Sequence, residues 1–316
     1  MKGAYSKTEQ KKIDMKSILI KFIRLRYYLR RKLSLKINKD DVVLEIGPGG
    51  KPHFRSNVIC DKFYKDNTER SGDSLAKKGT FLILGDAESL LSREKSFDYI
   101  IASHLLEHLY KPQDFFEEIM RVGKAGYIET PTMVSEKVKS IKYHVNFVKI
   151  DRRTNTIEVI PKKRWIFDED LTHWWLSIRD KTVAGARINF SDHFFLRFFW
   201  ENSFNYKISN NETLNPQLFI KSNENDAAKN SPKKKTKMKY PFFDRLFRRV
   251  LIPFFGYLKY SKGPIFDIRE KVCCPHCQRE LFFEKIANYA ICNTCRVKYK
   301  SEKNILYLRK EDAISF

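Results

Sequence analysis

The stretch Val-Val-Leu-Glu-Ile-Gly-Pro-Gly-Gly, from Val42 to Gly50, decides the fold that we predict for this 316-residue chain. Its first half is apolar and β-branched, as is typical of a buried parallel strand, and the glycines that follow predict a tight turn. Because glycine lacks a Cβ and accepts positive φ, Gly47 and Gly49 would let the backbone approach a ligand closely. Glu45 stands at the strand's exit, where its carboxylate can meet a cationic group.

Four more apolar runs are predicted as strands, and each ends at a polar or turn residue. They are Asn57 to Cys60 before Asp61, Thr80 to Leu84 before Gly85-Asp86-Ala87, Phe97 to Ser103 before His104, and Gly126 to Thr130 before Pro131. A helix is predicted from Lys111 to Gly123, with Pro112 in its first turn. Open α/β sheets bind ligands at the carboxyl ends of their strands, so we expect the polar residues to share one site.

This order resembles the class I S-adenosylmethionine-dependent methyltransferases, particularly the small-molecule branch with a His-x-Leu-Glu-His signature, here His104 to His108. The resemblance covers roughly residues 40–131. It implies an α/β fold with a Rossmann-like doubly wound sheet. It also implies that Asp61 binds the ribose of the cofactor and Asp86 its adenine. The implied cofactor-binding residues are Glu45, Gly47, Gly49, Asp61, Asp86, Ala87 and Ser103.

The candidate catalytic residues are His104, Glu107 and His108, which follow the fourth strand. The sulfonium of the cofactor makes its methyl group electrophilic, so the protein chiefly aligns an acceptor. An alcohol acceptor must also lose its proton, and His104 is the preferred general base. Packing or capping of a helix is the alternative role for Glu107 and His108.

Two departures from the family pattern leave alternatives open. Lys51 stands where a third alternating glycine is common, and only residues 51–56 separate Gly50 from the second strand, too few for a crossover helix. The pocket would then be more open, or closed by another part of the chain, or degenerate and non-catalytic. A nicotinamide-dinucleotide fold is disfavoured, because its fingerprint needs a small residue where Pro52 stands.

The length suits about two domains, and changes in composition divide the chain further. We expect a basic amphipathic helix in 1–39, a methyltransferase core in 40–162, an aromatic-rich acceptor or lid region in 163–220, a polybasic linker in 221–240, an amphipathic segment in 241–265 and a zinc ribbon in 266–316. A hairpin of residues 144–149 and 156–161 is expected to complete the core sheet. The aromatic residues of 163–220 either pack a subdomain or stack on sugar rings or bases.

The net charge of +23 is concentrated in two segments. Residues 1–40 carry 13 Lys or Arg against three acids, and residues 221–271 carry 14 against five. Such blocks attract anionic lipid or nucleic acid. The helix predicted for residues 17–37 is a lid or a membrane-surface helix, and residues 241–265 either bind a membrane or dock onto the core. The polar start predicts no signal peptide, and we expect a cytoplasmic protein, peripheral on the inner membrane face.

The second strong motif is Cys274-Pro-His-Cys277 followed by Cys292-Asn-Thr-Cys295. Four thiolates in two pairs suit a closed, structural zinc site, and fifty residues need such a metal to fold. Neither Cys273 nor His276 is expected to bind the metal. The pattern resembles the zinc ribbon of the small activator subunit of tRNA and release-factor methyltransferases, which implies a stabilising or protein-binding role.

The residues after the fourth strand indicate which class of acceptor is disfavoured. Ser-His-Leu-Leu replaces the Asn/Asp-Pro-Pro-Tyr/Phe used on base amines and glutamine amides, which disfavours those acceptors. The first hypothesis is O-methylation of a glycan or lipid-linked saccharide during cell-surface polysaccharide assembly. The second is an RNA methyltransferase whose basic segments bind phosphates. The third is a non-catalytic interaction protein.

Overall fold

A computed structural model describes residues 33–50, 52–64, 80–138, 141–163, 170–171, 191–209, 250, 254, 264–284, 288–302 and 304–316. Its strands are β1 Val43–Ile46, β2 Val58–Asp61, β3 Phe81–Leu84, β4 Phe97–Ser103, β5 Gly123–Pro131, β6 Asn146–Asp151, β7 Thr156–Pro161, β8 Phe195–Glu201, β9 Tyr206–Ile208, β10 Phe282–Glu284, β11 Tyr289–Cys292, β12 Val297–Glu302, β13 Ile305–Tyr307 and β14 Ile314–Ser315. The α-helices are α1 Pro112–Val122, α2 Met133–Val138 and α3 Ser191–Phe194, and 3₁₀ helices cover Leu106–His108, Ile268–Glu270 and Lys310–Asp312.

The large sheet has the order β10-β11-β12-β13-β3-β2-β1-β4-β5-β8, with β14 paired to β12. Strands β3, β2, β1, β4 and β5 are parallel, and the order reverses direction between β1 and β4. This arrangement confirms the predicted Rossmann-like α/β sheet. All five parallel strands end at the same edge, which is where open α/β sheets bind ligands.

Apolar side chains cover both faces of this sheet. On one face α1 buries Phe115, Phe116, Ile119 and Val122, as its spacing predicts, and Gly123 ends the helix. On the other face Leu35 and Ile37 pack on residues of β1, β4 and β5. The predicted helix of residues 17–37 is therefore wrong at its end, because residues 34–37 are not helical. An extended chain suits them, since it turns the alternate residues 35 and 37 towards the sheet.

The hairpin forms as predicted but does not complete the core sheet. Strands β6 and β7 pair antiparallel and join β9 in a separate three-stranded sheet. The core sheet instead ends with β8, antiparallel to β5, from the region assigned to the acceptor or lid. The reason is packing: Leu196, Phe198 and Trp200 alternate inward along β8, and Gly126 of β5 leaves the space that Trp200 fills.

The cysteine-rich segment is continuous with the core sheet. β13 pairs in parallel with β3, from Ile305 opposite Leu82 to Tyr307 opposite Leu84. The backbone N–H of Leu308 extends this ladder by donating to Leu84 O at 3.1 Å. Val272, Cys274 and Leu281 belong to the same hydrophobic core as β1 and β4.

Several predictions concern residues outside this description. They are the helix over residues 17–32, the linker of 221–240, most of the amphipathic segment 241–265 and the aromatic residues between 172 and 190. Within the described part of the chain, no helix has both the length and the apolarity needed to cross a membrane.

Replacing Gly126 by alanine is expected to lower the free energy of unfolding by roughly 1–3 kcal/mol, the usual cost of overpacking. The new Cβ would lie 2.7 Å from ring atoms of Trp200. Urea unfolding followed by circular dichroism measures the change. In a Trp200→Phe background the same alanine should cost less, because the smaller ring leaves room. A Gly126→Ala variant as stable as the wild type would contradict this packing.

Candidate functional site

The residues predicted to bind the cofactor lie at the carboxyl edge of the five parallel strands. Gly47 and Gly49 follow β1, Asp61 ends β2, Asp86 and Ala87 follow β3, and Ser103 ends β4. The sheet therefore brings segments far apart in the sequence to one edge. Ala87 is buried in the core, so only its backbone is available to a ligand.

The glycine turn after β1 keeps backbone open to a ligand. Gly47 and Gly49 both have φ of 60°, a left-handed conformation that side chains rarely adopt. A Cβ on Gly47 would lie 3.0 Å from Leu105 Cδ1, whereas a Cβ on Gly49 would meet nothing within 4 Å. A side chain at Gly47 would be strained by this φ and tight against Leu105, whereas Gly49 borders open space.

The link between β1 and β2 contains no helix in its described residues, as its length predicted. Buried Glu45 holds this link, because its Oε2 accepts hydrogen bonds from His53 N and Ser56 Oγ, both at 2.6 Å. Arg55 fixes the other side by donating to three carbonyls of residues 38–41. Glu45 therefore lies at the predicted end of β1, with one carboxylate oxygen committed to the loop.

Two predicted cofactor acids flank a lysine. Lys62 Nζ lies 2.8 Å from Asp86 Oδ2, and Asp86 Oδ1 accepts from Glu88 N at 3.0 Å. Asp61 Oδ1 accepts from Phe63 N at 2.9 Å. Burial alone would lower the pKa of Lys62, but the hydrogen bond and charge of Asp86 raise it above its ordinary value. Lys62 therefore places a positive charge beside Asp86.

His104 is held between two buried carboxylates. Its Nδ1 lies 3.1 Å from Glu107 Oε1 and its Nε2 lies 3.6 Å from Glu129 Oε1. The two glutamates are 1% and 0% exposed, whereas the His104 side chain is 37% exposed. Its backbone φ of 58° is left-handed, a conformation that concentrates at functional sites when it occurs outside glycine. This geometry presents an imidazole to solvent with carboxylates on both ring nitrogens.

Glu107 joins His104 to β5. Its Oε2 accepts a hydrogen bond from Thr130 Oγ1 at 2.9 Å. Burial alone would raise the pKa of Glu107, but the hydrogen bond from His104 and the charges of His104, His108 and His144 lower it to about 2. The predicted pair of His104 and Glu107 is in contact, while His108 packs its ring against His144, with centroids 4.6 Å apart.

The sequence analysis missed several residues of this edge. Glu129 accepts hydrogen bonds from Tyr127 Oη at 2.6 Å, Arg197 Nε at 3.2 Å and Ser103 Oγ at 3.3 Å. A carboxylate inside a buried strand is unusual and was a usable signal. A second buried group, Glu136, His144 and Lys162, gave no local signal, because its members come from three separate segments.

The four cysteines of the two pairs come together as predicted. All four sulfur atoms lie within 4.8 Å of one another, with Cys274 to Cys295 at 3.9 Å and Cys277 to Cys292 at 3.5 Å. Metal–sulfur bonds of about 2.3 Å in a tetrahedron separate the sulfurs by about 3.8 Å, so the four can hold one metal ion.

The fold and this edge define a Rossmann-like α/β protein. Residues 52–128 match the family model described as a methyltransferase domain, and this match supports S-adenosylmethionine as the cofactor. The matched residues cover β2 to β5 and include His104, Glu107 and His108. A search of curated proteins found no match.

Three solved structures are similar to part of this chain. A complex of the Haloferax volcanii Trm112 methyltransferase activator with a proposed methyltransferase is 17% identical, with 37% of this chain and 57% of that chain covered and a TM-score of 0.27. The PH0226 protein of Pyrococcus horikoshii is 23% identical, with 42% and 69% covered and a TM-score of 0.29. Phosphoethanolamine N-methyltransferase 1 of Haemonchus contortus is 19% identical, with 38% and 29% covered and a TM-score of 0.26.

The Glu107→Gln variant is expected to change how stability depends on pH. The folded-state pKa lies below the ordinary value of 4.5, so ionised Glu107 stabilises the fold above pH 4.5 and this contribution disappears as pH falls towards 2. Over that pH range the free energy of unfolding of the wild type should fall by about 3 kcal/mol because of Glu107. The variant has no carboxylate at this position and should not show this loss.

Urea unfolding at steps from pH 5 to pH 3 tests this expectation. The free energies of unfolding of the wild type and of Glu107→Gln should become more similar as the pH falls. Exposed Glu117→Gln, on α1, is the matched control for replacing a glutamate by glutamine. A constant difference between the wild type and Glu107→Gln would contradict the assignment.

Proposed function

We propose that this chain is an S-adenosylmethionine-dependent O-methyltransferase whose acceptor is a glycan or lipid-linked saccharide. The methyltransferase-domain match over residues 52–128 supports methyl transfer. The observation that carries the choice of a hydroxyl acceptor is the exposed imidazole of His104 between buried Glu107 and Glu129. A hydroxyl must lose its proton on methylation, and this imidazole is placed to take it.

The roles of the residues follow from the two carboxylates. When bound, the cofactor supplies an electrophilic methyl group on a sulfonium sulfur, which keeps the bonding electron pair as the methyl leaves. We assign the His104 tautomer in which Nδ1–H donates to Glu107, so the lone pair that would receive the acceptor's proton is on Nε2, 3.6 Å from Glu129 Oε1. Glu107 and Glu129 then stabilise the imidazolium that forms. The acceptor oxygen forms the new bond to the methyl carbon.

The choice of a saccharide rests on the surroundings of His104 and on the charge of the chain. Phe195 lies against the His104 ring, with centroids 5.6 Å apart, and aromatic faces at such an edge can stack on a sugar ring. The basic segments would hold the protein at an anionic lipid surface, consistent with a cytoplasmic, peripheral location at the inner membrane face. The same charge of +23 favours RNA as the alternative acceptor.

We also propose that the cysteine site binds structural zinc and that the ribbon supports the cofactor edge within the same chain. β13 completes the parallel ladder on β3, and β3 leads directly to Asp86. Because an unpaired strand edge exposes its N–H and C=O groups, covering β3 would stabilise the segment that carries Asp86. A protein partner bound through the remaining ribbon surface is the alternative.

The His104→Gln variant is expected to lose about 10²- to 10⁴-fold in methyl transfer while it still binds the cofactor. Wild type and variant are incubated with methyl-labelled cofactor and, separately, with extracted glycolipid and with RNA. His276→Gln, an exposed histidine of the ribbon, is the control and should keep full transfer. Label in RNA alone would favour the alternative acceptor, and no label in either extract would contradict the proposal.

The Cys277→Ser variant is expected to lose the zinc of the ribbon and to unfold at a lower temperature than the wild type. Metal analysis and thermal unfolding measure the two effects on the same sample. Cys273→Ala removes a neighbouring cysteine whose sulfur is outside the four-cysteine group and should retain the zinc. Tightly bound zinc retained by Cys277→Ser would contradict the assignment of the site.

A further inference from the structure

A second group of metal-ligating side chains lies behind His104. Glu107, His108 and His144 each offer a ligand atom, and these atoms lie within 4.8 Å of one another. The backbone fixes this arrangement, because Val145 N donates to Glu107 O at 2.7 Å. Asn146 Nδ2 adds bonds to the carbonyls of Leu106 at 3.0 Å and Leu109 at 2.6 Å. The 3₁₀ helix after β4 and the chain before β6 are therefore held together.

The charge on Glu107 lies beside histidine side chains. Two neighbouring buried glutamates each have a lysine or arginine partner instead, since Glu136 pairs with Lys162 at 2.7 Å and Glu129 with Arg197 at 3.2 Å. Among the described residues, no lysine or arginine lies within ion-pair distance of Glu107, which bonds to His104 and Thr130. A buried carboxylate of this kind is stabilised either by a charged histidine or by a coordinated metal ion.

The surroundings of His144 favour the metal. Its Nδ1 lies 2.5 Å from Oε1 of buried Glu136, which leaves Nε2 as the nitrogen able to bind a metal. A carboxylate on the second ring nitrogen is the usual support of a metal-binding histidine. The rings of His108 and His144 stand at 80° with centroids 4.6 Å apart, so two imidazoles converge beside the Glu107 carboxylate.

We propose that Glu107, His108 and His144 bind one divalent transition-metal ion of the Zn²⁺ or Co²⁺ type beside His104. Two imidazoles and a carboxylate form a donor set that suits such ions. Each oxygen of Glu107 can accept a second interaction, so its bonds to His104 and Thr130 remain. Three protein ligands leave a coordination position for an oxygen atom of the acceptor, a role that rests on the proposed function, whereas metal binding does not.

Counting metal ions in the full-length chain tests the proposal. Bound metal is removed with a chelator, Co²⁺ is added, and mass spectrometry measures the number of cobalt ions per chain. The visible absorption spectrum distinguishes cobalt bound by thiolates from cobalt bound by nitrogen and oxygen. The wild type should bind two equivalents, one at the four cysteines and one at the new site. His108→Asn and His144→Asn should each bind only the thiolate equivalent. Exposed His193→Asn is the matched control and should bind two.

The outcomes are decisive even if one variant misfolds. Circular dichroism and the cobalt ion retained at the four cysteines report whether a variant is folded. If His144→Asn loses both cobalt ions, the test rests on His108→Asn, which is the milder substitution because His108 is only half-buried. A wild type that binds only the thiolate equivalent overturns the proposal, as does a folded His108→Asn variant that keeps two. Binding of S-adenosylmethionine, measured on the same samples, separates the proposed metal site from the proposed methyl transfer. A chain that binds two cobalt ions but no S-adenosylmethionine would contradict methyl transfer and would still support the metal site.

Discussion

The site depends on three buried carboxylates at one edge of the parallel sheet, each of which must be satisfied by hydrogen bonds or by a cation. Glu45, Glu107 and Glu129 are each almost fully buried, and a buried carboxylate is costly unless hydrogen bonds or cations satisfy it. Each therefore fixes a different element: Glu45 holds the link between β1 and β2, Glu107 ties the 3₁₀ helix to β5, and Glu129 ties β4 and β5 to β8. His104 lies between Glu107 and Glu129, and its contacts with these two carboxylates fix its position.

The sheet extends this edge into the cysteine-rich segment. Parallel pairing of β13 with β3 makes the ribbon a continuation of the same sheet, and their side chains share a hydrophobic core. Arg93, in the loop after β3, adds an ion pair to Glu280 of the cysteine-rich segment at 3.1 Å. The four-cysteine segment is thus joined through β13 to β3, the strand that precedes Asp86.

The sequence predicts those features that depend on local pattern. The apolar runs located β1 to β5, the spacing of Pro112 and Gly123 located α1, and the cysteine pairs located the cluster of four cysteines. Long-range packing could not be read in this way. Both the hairpin and β8 alternate apolar residues, and long-range contacts favour β8 on the sheet, among them the fit of Trp200 over Gly126 and the ion pair of Arg197 with Glu129. Likewise Glu136, His144 and Lys162 meet through tertiary contacts that no spacing encodes.

The proposed function requires S-adenosylmethionine to bind at the glycine turn and the acids of this edge. Calorimetric titration of the folded, metal-loaded chain with S-adenosylmethionine, and with its demethylated product, measures this binding. Saturable heat with one site per chain is expected for both compounds. Absence of heat with either compound, in protein whose fold is confirmed by circular dichroism, would contradict the proposed function.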